Sequence, residues 1–179
     1  MNDNFMLLPI SILNQHTLME VRKCNDLTEQ YYLTLSDQDI GLLMENRKET
    51  LESNGRIEFG GGVIQKIIIE FADSPYMYQD SYVSTLMELQ ECFYYFKNES
   101  LEQISDDSLI RQMKLYYDNV CQGSVEFLRT TILENISRDI RYGKEIYRDS
   151  DGYEDDYTAF LECDPDEMSG KGRLGRRQF

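Results

Sequence analysis

The side chains best suited to chemistry in this sequence lie in one short polar segment. Residues 73–80 read Asp-Ser-Pro-Tyr-Met-Tyr-Gln-Asp, so two carboxylates and two tyrosines surround a rigid proline. Carboxylates and phenols can bind ligands or move protons when a fold holds them together, and loops placed by rigid helices often carry function. We therefore take Asp73, Tyr76, Tyr78 and Asp80 as candidate ligand-binding or partner-binding residues.

The same segment has a plainer interpretation as a corner between two helices. Ser74 and Pro75 would end one helix, and Asp80 would cap the next. The pattern favours this corner, and the binding role stays open beside it.

Three further groups could do chemistry, but each has a more ordinary explanation. The single histidine, His16, is expected before the first helix, where a surface or capping role is typical. Glu88 and Glu91 have a spacing that suits a metal or acid-base work, and equally suits a solvated helix face. The glycines at 60–62 resemble a phosphate-binding turn but lack the Lys-Ser/Thr of a P-loop, so a flexible connection is favoured.

The cysteines do not suggest a metal or redox site. Cys24, Cys92, Cys121 and Cys163 are far apart in sequence and form no CxxC pair, so we expect buried, inert thiols. A second histidine, which a di-iron bundle would need, is also missing. We predict no catalytic residue, no metal and no cofactor.

The elements that must position these residues are predicted to be helices. Apolar residues recur at helical spacing, and alternation with a period of two is almost absent. This pattern predicts an all-α, single-domain bundle of about five to six helices with an acidic C-terminal appendage. The first helix is expected from about Thr17 to Tyr32, with a weak point at Asn25-Asp26 and apolar positions at Leu18, Val21, Leu27 and Tyr31.

The next two helices are better marked. Ser36 followed by Asp39 resembles a capping box, which would begin the second helix. Gly55 is a plausible stop at the end of that helix. Residues 56–59 could be a short extended piece. The third helix follows the glycines and is apolar enough to lie centrally, with Val63, Ile64, Ile67, Ile68 and Phe71.

Three more helices complete the prediction. The stripe of the fourth, from about Gln79 to Lys97, is Tyr82, Leu86, Leu89, Phe93 and Phe96. The fifth begins near Ser105 and is expected to bury Leu109, Met113, Tyr116 and Val120. The last is capped by Ser124, stops near Gly143, carries Glu134 and Arg138 as an i,i+4 pair and is expected to bury Val125, Leu128, Ile132, Ile136 and Ile140.

Charge divides the chain into a helical domain, residues 1–147, and a tail, residues 148–179, which we expect to be partly disordered. The formal net charge is −15; residues 149–167 hold nine acids and no base, and residues 171–177 hold four bases. A polyanion would be repelled, so nucleic-acid binding is disfavoured. No stretch is apolar enough for a membrane helix and the N-terminus lacks signal-peptide character, so a cytoplasmic location is expected.

Several local sequences also resemble a known family. They are Leu35-Ser36-Asp37, Asn54-Gly55-Arg56-Ile57-Glu58-Phe59-Gly60, Asp73-Ser74-Pro75-Tyr76, Leu89-Gln90-Glu91-Cys92-Phe93-Tyr94-Tyr95-Phe96-Lys97-Asn98-Glu99 and Cys121-Gln122-Gly123-Ser124. Over about residues 5–142 they resemble a family of uncharacterised bacterial proteins classed only as a domain of unknown function. The resemblance implies a bacterial cytosolic origin and brings no catalytic residue.

The function is therefore unknown from the sequence, and two main hypotheses follow. The first is a non-enzymatic helical module that binds another protein. The second is a small-ligand-binding protein or enzyme with a carboxylate and tyrosine pocket near residues 73–80. A nucleic-acid mimic is a third, disfavoured by interspersed arginines such as Arg129, Arg138 and Arg141. Homo-oligomerisation stays open.

Overall fold

Helices supply the regular structure of this chain. The computed structural model describes residues 10–58 and 62–143, and over these ranges it contains helices and no strand, which confirms the predicted all-α fold. The α-helices, in chain order, are α1 (Ile10–Lys23), α2 (Asn25–Thr28), α3 (Asp37–Ser53), α4 (Gly62–Phe71), α5 (Tyr82–Glu99), α6 (Asp106–Asn119), α7 (Val125–Phe127) and α8 (Glu134–Arg141).

The first predicted helix is wrong in its bounds. Helix α1 begins seven residues earlier than expected and ends at Lys23, and α2 and a 3₁₀ turn, Glu29–Tyr31, follow a break at Cys24. The side-chain amide of Asn25 stabilises the break, because it both donates to and accepts from the Leu35 backbone at 2.9 Å. The break changes the helical phase. Thr28 is consequently buried, whereas two residues expected in the core, Leu27 and Tyr31, are exposed.

Helix α3 begins at the predicted capping box. The Ser36 hydroxyl accepts from the Asp39 N–H at 3.2 Å, and the Asp39 carboxylate accepts from the Ser36 N–H at 2.8 Å. These bonds satisfy amides that a helix start otherwise leaves unpaired. At the other end, Gly55 has φ +66°, as expected of a left-handed stop. The segment Arg56 to Glu58 forms no strand.

Helices α4 and α5 form the centre of the bundle. The five apolar residues predicted for α4 are all buried, as is the whole predicted stripe of α5. Helix α4 packs against α5 and α6, and α5 packs against α3 and α8. Burial of this apolar surface is the main stabilising contribution to such a bundle.

The last helices follow the prediction only in part. Tyr116 and Ile136, which were expected to be buried, are half-buried. Glu134 pairs with Arg141, whereas the predicted partner Arg138 donates to Asn135.

The Ser105 and Ser124 hydroxyls cap α6 and α7 as expected, but the buried residue near the end of α6 is Tyr117, and Val120 is exposed. Helix α6 ends at Asn119, so Val120 no longer lies on its apolar stripe. Between α7 and α8 the chain adopts a π-helical segment, Leu128–Leu133, which the sequence pattern did not predict.

Some predictions fall outside the described residues. These are the tail, residues 148–179, the glycines at 60 and 61, and residue 59 of the suggested extended piece. Within residues 10–58 and 62–143, no helix combines the length and the apolar character that crossing a membrane requires.

Candidate functional site

The connection between α4 and α5 is a tightly bonded corner. The N–H of Ser74 donates to the Phe71 carbonyl at 3.1 Å, and its hydroxyl donates to Oδ1 of Asp118 on α6 at 2.5 Å. The N–H of Tyr76 donates back to the Ser74 hydroxyl oxygen at 3.3 Å. Ser74 is buried, so this network fixes the corner to α6. The predicted corner between two helices is therefore present.

Tyr76, one of the four predicted site residues, packs inward from this corner. Its half-buried ring lies 6.4 Å from the ring of Tyr117, centroid to centroid, in an edge-to-face arrangement. Gly123 lies directly against it, because a Cβ at Gly123 would come within 2.6 Å of the Tyr76 Cβ. Tyr76 therefore positions the corner, and its ring is only partly accessible to a ligand.

A second turn, residues 29–34, is hydrogen-bonded to the corner. The Thr34 N–H donates to Oε1 of Gln79 at 2.8 Å, and Nε2 of Gln79 donates to the Thr34 carbonyl at 2.9 Å. Tyr32, at φ +61°, turns the chain through the left-handed region just before Thr34. Two segments that are 45 residues apart in sequence therefore share one surface.

We call this surface the corner surface and define it by five exposed side chains: Tyr31, Tyr32, Asp73, Tyr78 and Asp80. The three tyrosines are 44%, 89% and 61% exposed, respectively. Asp80 is exposed and forms no hydrogen bond or ion pair with any residue that the structure describes, and α5 begins without a side-chain cap. Asp80 is thus available to a partner, whereas its predicted capping role is wrong.

Asp73 lies at the edge of a shallow cleft. Its carboxylate is 3.0 Å from Nζ of Lys114, which also pairs with Asp118. Burial acts to lower the pKa of Lys114, but the hydrogen bonds to Asp118 and Asp73 outweigh it and raise that pKa above the ordinary value. The amine is therefore a poor general base. The cleft is open, has a volume of about 240 Å³, and is lined by Tyr31, Ile69, Glu70, Asp73 and Lys114.

A buried polar cluster lies elsewhere, where the sequence analysis proposed no site. The Glu58 carboxylate accepts from the Tyr94 hydroxyl at 2.6 Å, from Nη2 of Arg47 at 3.3 Å and from the Val63 N–H at 3.4 Å. It thereby serves as the anion at the start of α4. Burial, followed by the bond to Glu58, raises the pKa of Tyr94.

Arg47 is the residue from which this cluster could have been predicted in the sequence. It occurs on the apolar stripe of α3, four residues after Leu43, and a charged residue at such a position needs a buried partner. Glu58 meets that need, because its carboxylate accepts from the Arg47 guanidinium while the same oxygen accepts from the Tyr94 hydroxyl. We interpret the cluster as a structural arrangement.

The remaining chemical candidates lie apart from both places. His16 lies within α1, since that helix begins earlier than predicted, and its exposed ring is 3.4 Å from a Glu20 carboxylate oxygen. Glu88 and Glu91 lie on the exposed side of α5, where Glu91 accepts from the Asn46 amide at 2.9 Å.

The cysteines within the described residues match the expectation of buried thiols. Cys24, Cys92 and Cys121 are buried and free. Burial raises the pKa of Cys24 and Cys121 to about 11 and that of Cys92 to about 12, so all three stay protonated and unreactive near neutral pH. Cys163 lies outside the described residues.

Comparison with known proteins bears on the resemblance noted in the sequence. The model of a family of unknown function, DUF6323, matches residues 20–146. The chain belongs to this family. The match covers the helical part of the chain from within α1 to beyond α8, close to the region predicted from the local sequences. No curated protein and no solved structure matches the DUF6323 chain.

Membership of DUF6323 supplies no site residues, so the site depends on geometry alone. Over the described part of the chain, no group of three or more His, Cys, Asp or Glu side chains is arranged to hold a metal ion. Of the four predicted site residues, the fold exposes Asp73, Tyr78 and Asp80 on the corner surface and half-buries Tyr76. It adds Tyr31 and Tyr32, which sequence reasoning did not select.

Proposed function

We propose that this DUF6323 protein is a non-enzymatic helical module that binds another protein through the corner surface, in the bacterial cytoplasm. The observation that carries the proposal is a group of three exposed tyrosines on a framework fixed by hydrogen bonds. Tyrosine is enriched in protein interfaces and their hot spots, because one rigid ring offers a large contact area at a low entropic cost.

The rigidity of the framework matters for binding. The Gln79 side chain is bonded twice to Thr34, and Ser74 is bonded to Asp118, so neither segment needs to order itself when a partner arrives. Binding loses less free energy to side-chain and loop ordering when the contact residues are already held in place. A disordered loop with the same residues would bind more weakly.

The alternative, a small-ligand-binding protein or enzyme near residues 73–80, has less support. It requires an enclosed, partly apolar cavity that brings Asp73, Tyr76 and Asp80 together. Only Asp73 of these three lines the cleft beside α4, and that cleft is open to solvent. Lys114, the basic group in it, is paired with two carboxylates.

Site-specific photo-crosslinking tests the proposal. Tyr78 is replaced by p-benzoylphenylalanine in cells that express the chain naturally, and the adduct is identified by mass spectrometry down to the joined residue. Tyr142 is the matched control, because it is 78% exposed. It follows α8, whose Arg141 pairs with Glu99 at the far end of α5, roughly 25 Å along the helix from Tyr82.

We expect one dominant adduct to a different protein from position 78 and none from position 142. Equal adducts from both positions would indicate random collision and would contradict the proposal. An adduct only to a second copy of the chain, or none at position 78, would also contradict it.

A further inference from the structure

Four exposed carboxylates lie on or beside the corner surface. Asp73 and Asp80 belong to it, and the exposed carboxylates of Glu29 and Glu70 lie on the adjoining turn and on α4. Lys114, the cation in the cleft beside Tyr31, is only 16% exposed and pairs with Asp73 and Asp118. On the other side of Glu70 a second cleft contains Arg111 and Lys66, and Lys66 pairs with Asp107. A binding segment that brings positive charge would therefore be attracted to this surface.

The carboxylates are accompanied by aromatic rings. Tyr78 is two residues from Asp80, and Tyr31 lines the same cleft as Glu70. A guanidinium group suits such pairs, because it stacks on an aromatic face while its N–H groups donate to a carboxylate. An ammonium group is a compact point charge and does not stack in this planar way.

The protein already uses this combination in its own fold. The guanidinium carbon of Arg56 lies 6.0 Å from the centroid of the Tyr94 ring, and the same side chain pairs with Glu102. Arg129 approaches the Tyr95 ring at 5.9 Å. In the described part of the chain, no arginine is found in the cleft beside Tyr31.

Resting on the proposed function, we infer that the partner segment bound by the corner surface is arginine-containing, with guanidinium groups that stack on Tyr78 and Tyr31 and pair with Asp80 and Glu70. A nucleic acid would meet repulsion from these carboxylates. The partner is therefore a protein segment rich in arginine, and its binding weakens as salt is added.

Titration of the full isotope-labelled chain with short peptides, followed by amide chemical shifts, tests the inference. The probes are peptides of four Gly-Arg, four Gly-Lys or four Gly-Gln repeats. We expect the arginine peptide to shift amides in residues 29–34 and 69–81, the lysine peptide to bind several-fold more weakly, and the glutamine peptide to cause no shift. Equal binding of the arginine and lysine peptides, or shifts spread over the whole acidic surface, would overturn the inference.

Substitutions locate the contacts. The double variant Asp80→Asn with Glu70→Gln is expected to weaken arginine-peptide binding about tenfold, as the loss of two charge-assisted contacts predicts. The double variant Glu45→Gln with Glu49→Gln, which removes two exposed carboxylates of α3, is the charge-matched control and should change nothing. Tyr78→Ala should weaken binding, and Tyr78→Phe should restore it, because phenylalanine keeps the stacking ring. An equal loss of arginine-peptide affinity in Tyr78→Ala and Tyr78→Phe would overturn the proposed stacking on Tyr78.

The two proposals fail in distinguishable ways. If position 78 crosslinks to a protein whose joined segment has no arginine, protein binding by the corner surface stands and the arginine inference is wrong. If position 78 gives no adduct to another protein, the proposed function itself is wrong, whatever the peptides do.

Discussion

One carboxylate oxygen of Glu58 accepts three hydrogen bonds. We expect the stability of the fold to depend on the negative charge of this side chain. Arg47 is almost fully buried, and Glu58 is the acidic partner the structure gives it. A buried charge without a partner costs several kcal/mol, far more than the net gain from an ordinary hydrogen bond. The pair therefore matters mainly because breaking it would leave Arg47 unpaired.

Glu58→Gln is expected to lower the free energy of unfolding by about 3 kcal/mol, because Arg47 keeps its charge and loses its counterion. Tyr94→Phe removes one hydrogen bond to the same oxygen and should cost about 1 to 2 kcal/mol. Equilibrium urea unfolding measures both. Glu49→Gln, at an exposed site, should stay within about 0.5 kcal/mol of the original protein. A Glu58→Gln variant as stable as that control would contradict this account.

Two glycines in the connections between helices constrain the fold, through their left-handed backbone conformation and, in one case, through steric contact. Gly123 follows α6 with φ +84°, and a Cβ at this position would lie 2.6 Å from the Cβ of Tyr76 and 2.9 Å from its Cγ. Gly55, after α3, has a similar φ of +66°, but no atom of the described residues beyond its chain neighbours lies within 4 Å of the position a Cβ would take. The two glycines therefore separate backbone strain from steric contact.

Gly55→Ala should cost about 1 kcal/mol, the penalty for a side chain in the left-handed region. Gly123→Ala should cost about 3 kcal/mol, because the added methyl group also collides with Tyr76. Urea unfolding gives the two values, and amide chemical shifts should move in residues 73–81 for Gly123→Ala alone. An equal loss of unfolding free energy in both variants, with no amide shift in residues 73–81, would show that the contact with Tyr76 is unimportant.

Sequence periodicity predicted the helices whose apolar faces are continuous. Helices α4 and α5 and the cap at Ser36 were predicted correctly because period, composition and capping agree there. The bounds of the first helix were not predicted correctly, because its break at Cys24 is stabilised by hydrogen bonds between Asn25 and Leu35, which is ten residues further along the chain. The π-helical segment at residues 128–133 was also not predicted, because the apolar residues there recur at ordinary helical spacing.

The candidate site was predictable only where it is local in sequence. Asp73, Tyr78 and Asp80 were selected because carboxylates, tyrosines and a proline occur together. Tyr31 was instead expected in the core, and it joins the surface because Gln79 binds Thr34 across 45 residues. A single sequence does not reveal a contact over that separation.

The buried phenols and thiols of the described residues are held in their neutral forms. Tyr82, Tyr94 and Tyr117 are buried phenols, and Cys24, Cys92 and Cys121 are buried thiols. Burial raises the pKa of each above its ordinary value, to about 12 for Tyr117. The folded protein consequently holds protons that the unfolded chain releases in alkaline solution.

Stability should therefore fall as the pH rises above about 9, where thiols and then phenols of the unfolded chain lose their protons. Each group contributes a decline of up to about 1.4 kcal/mol per pH unit until its folded-state pKa is reached. Urea midpoints followed by circular dichroism should be constant near neutral pH and then drop steeply. Tyr82→Phe should make that drop shallower above about pH 10, whereas Tyr32→Phe, at a phenol that is 89% exposed, should not. An unchanged slope in Tyr82→Phe would show that the buried phenols do not set the alkaline limit of this fold.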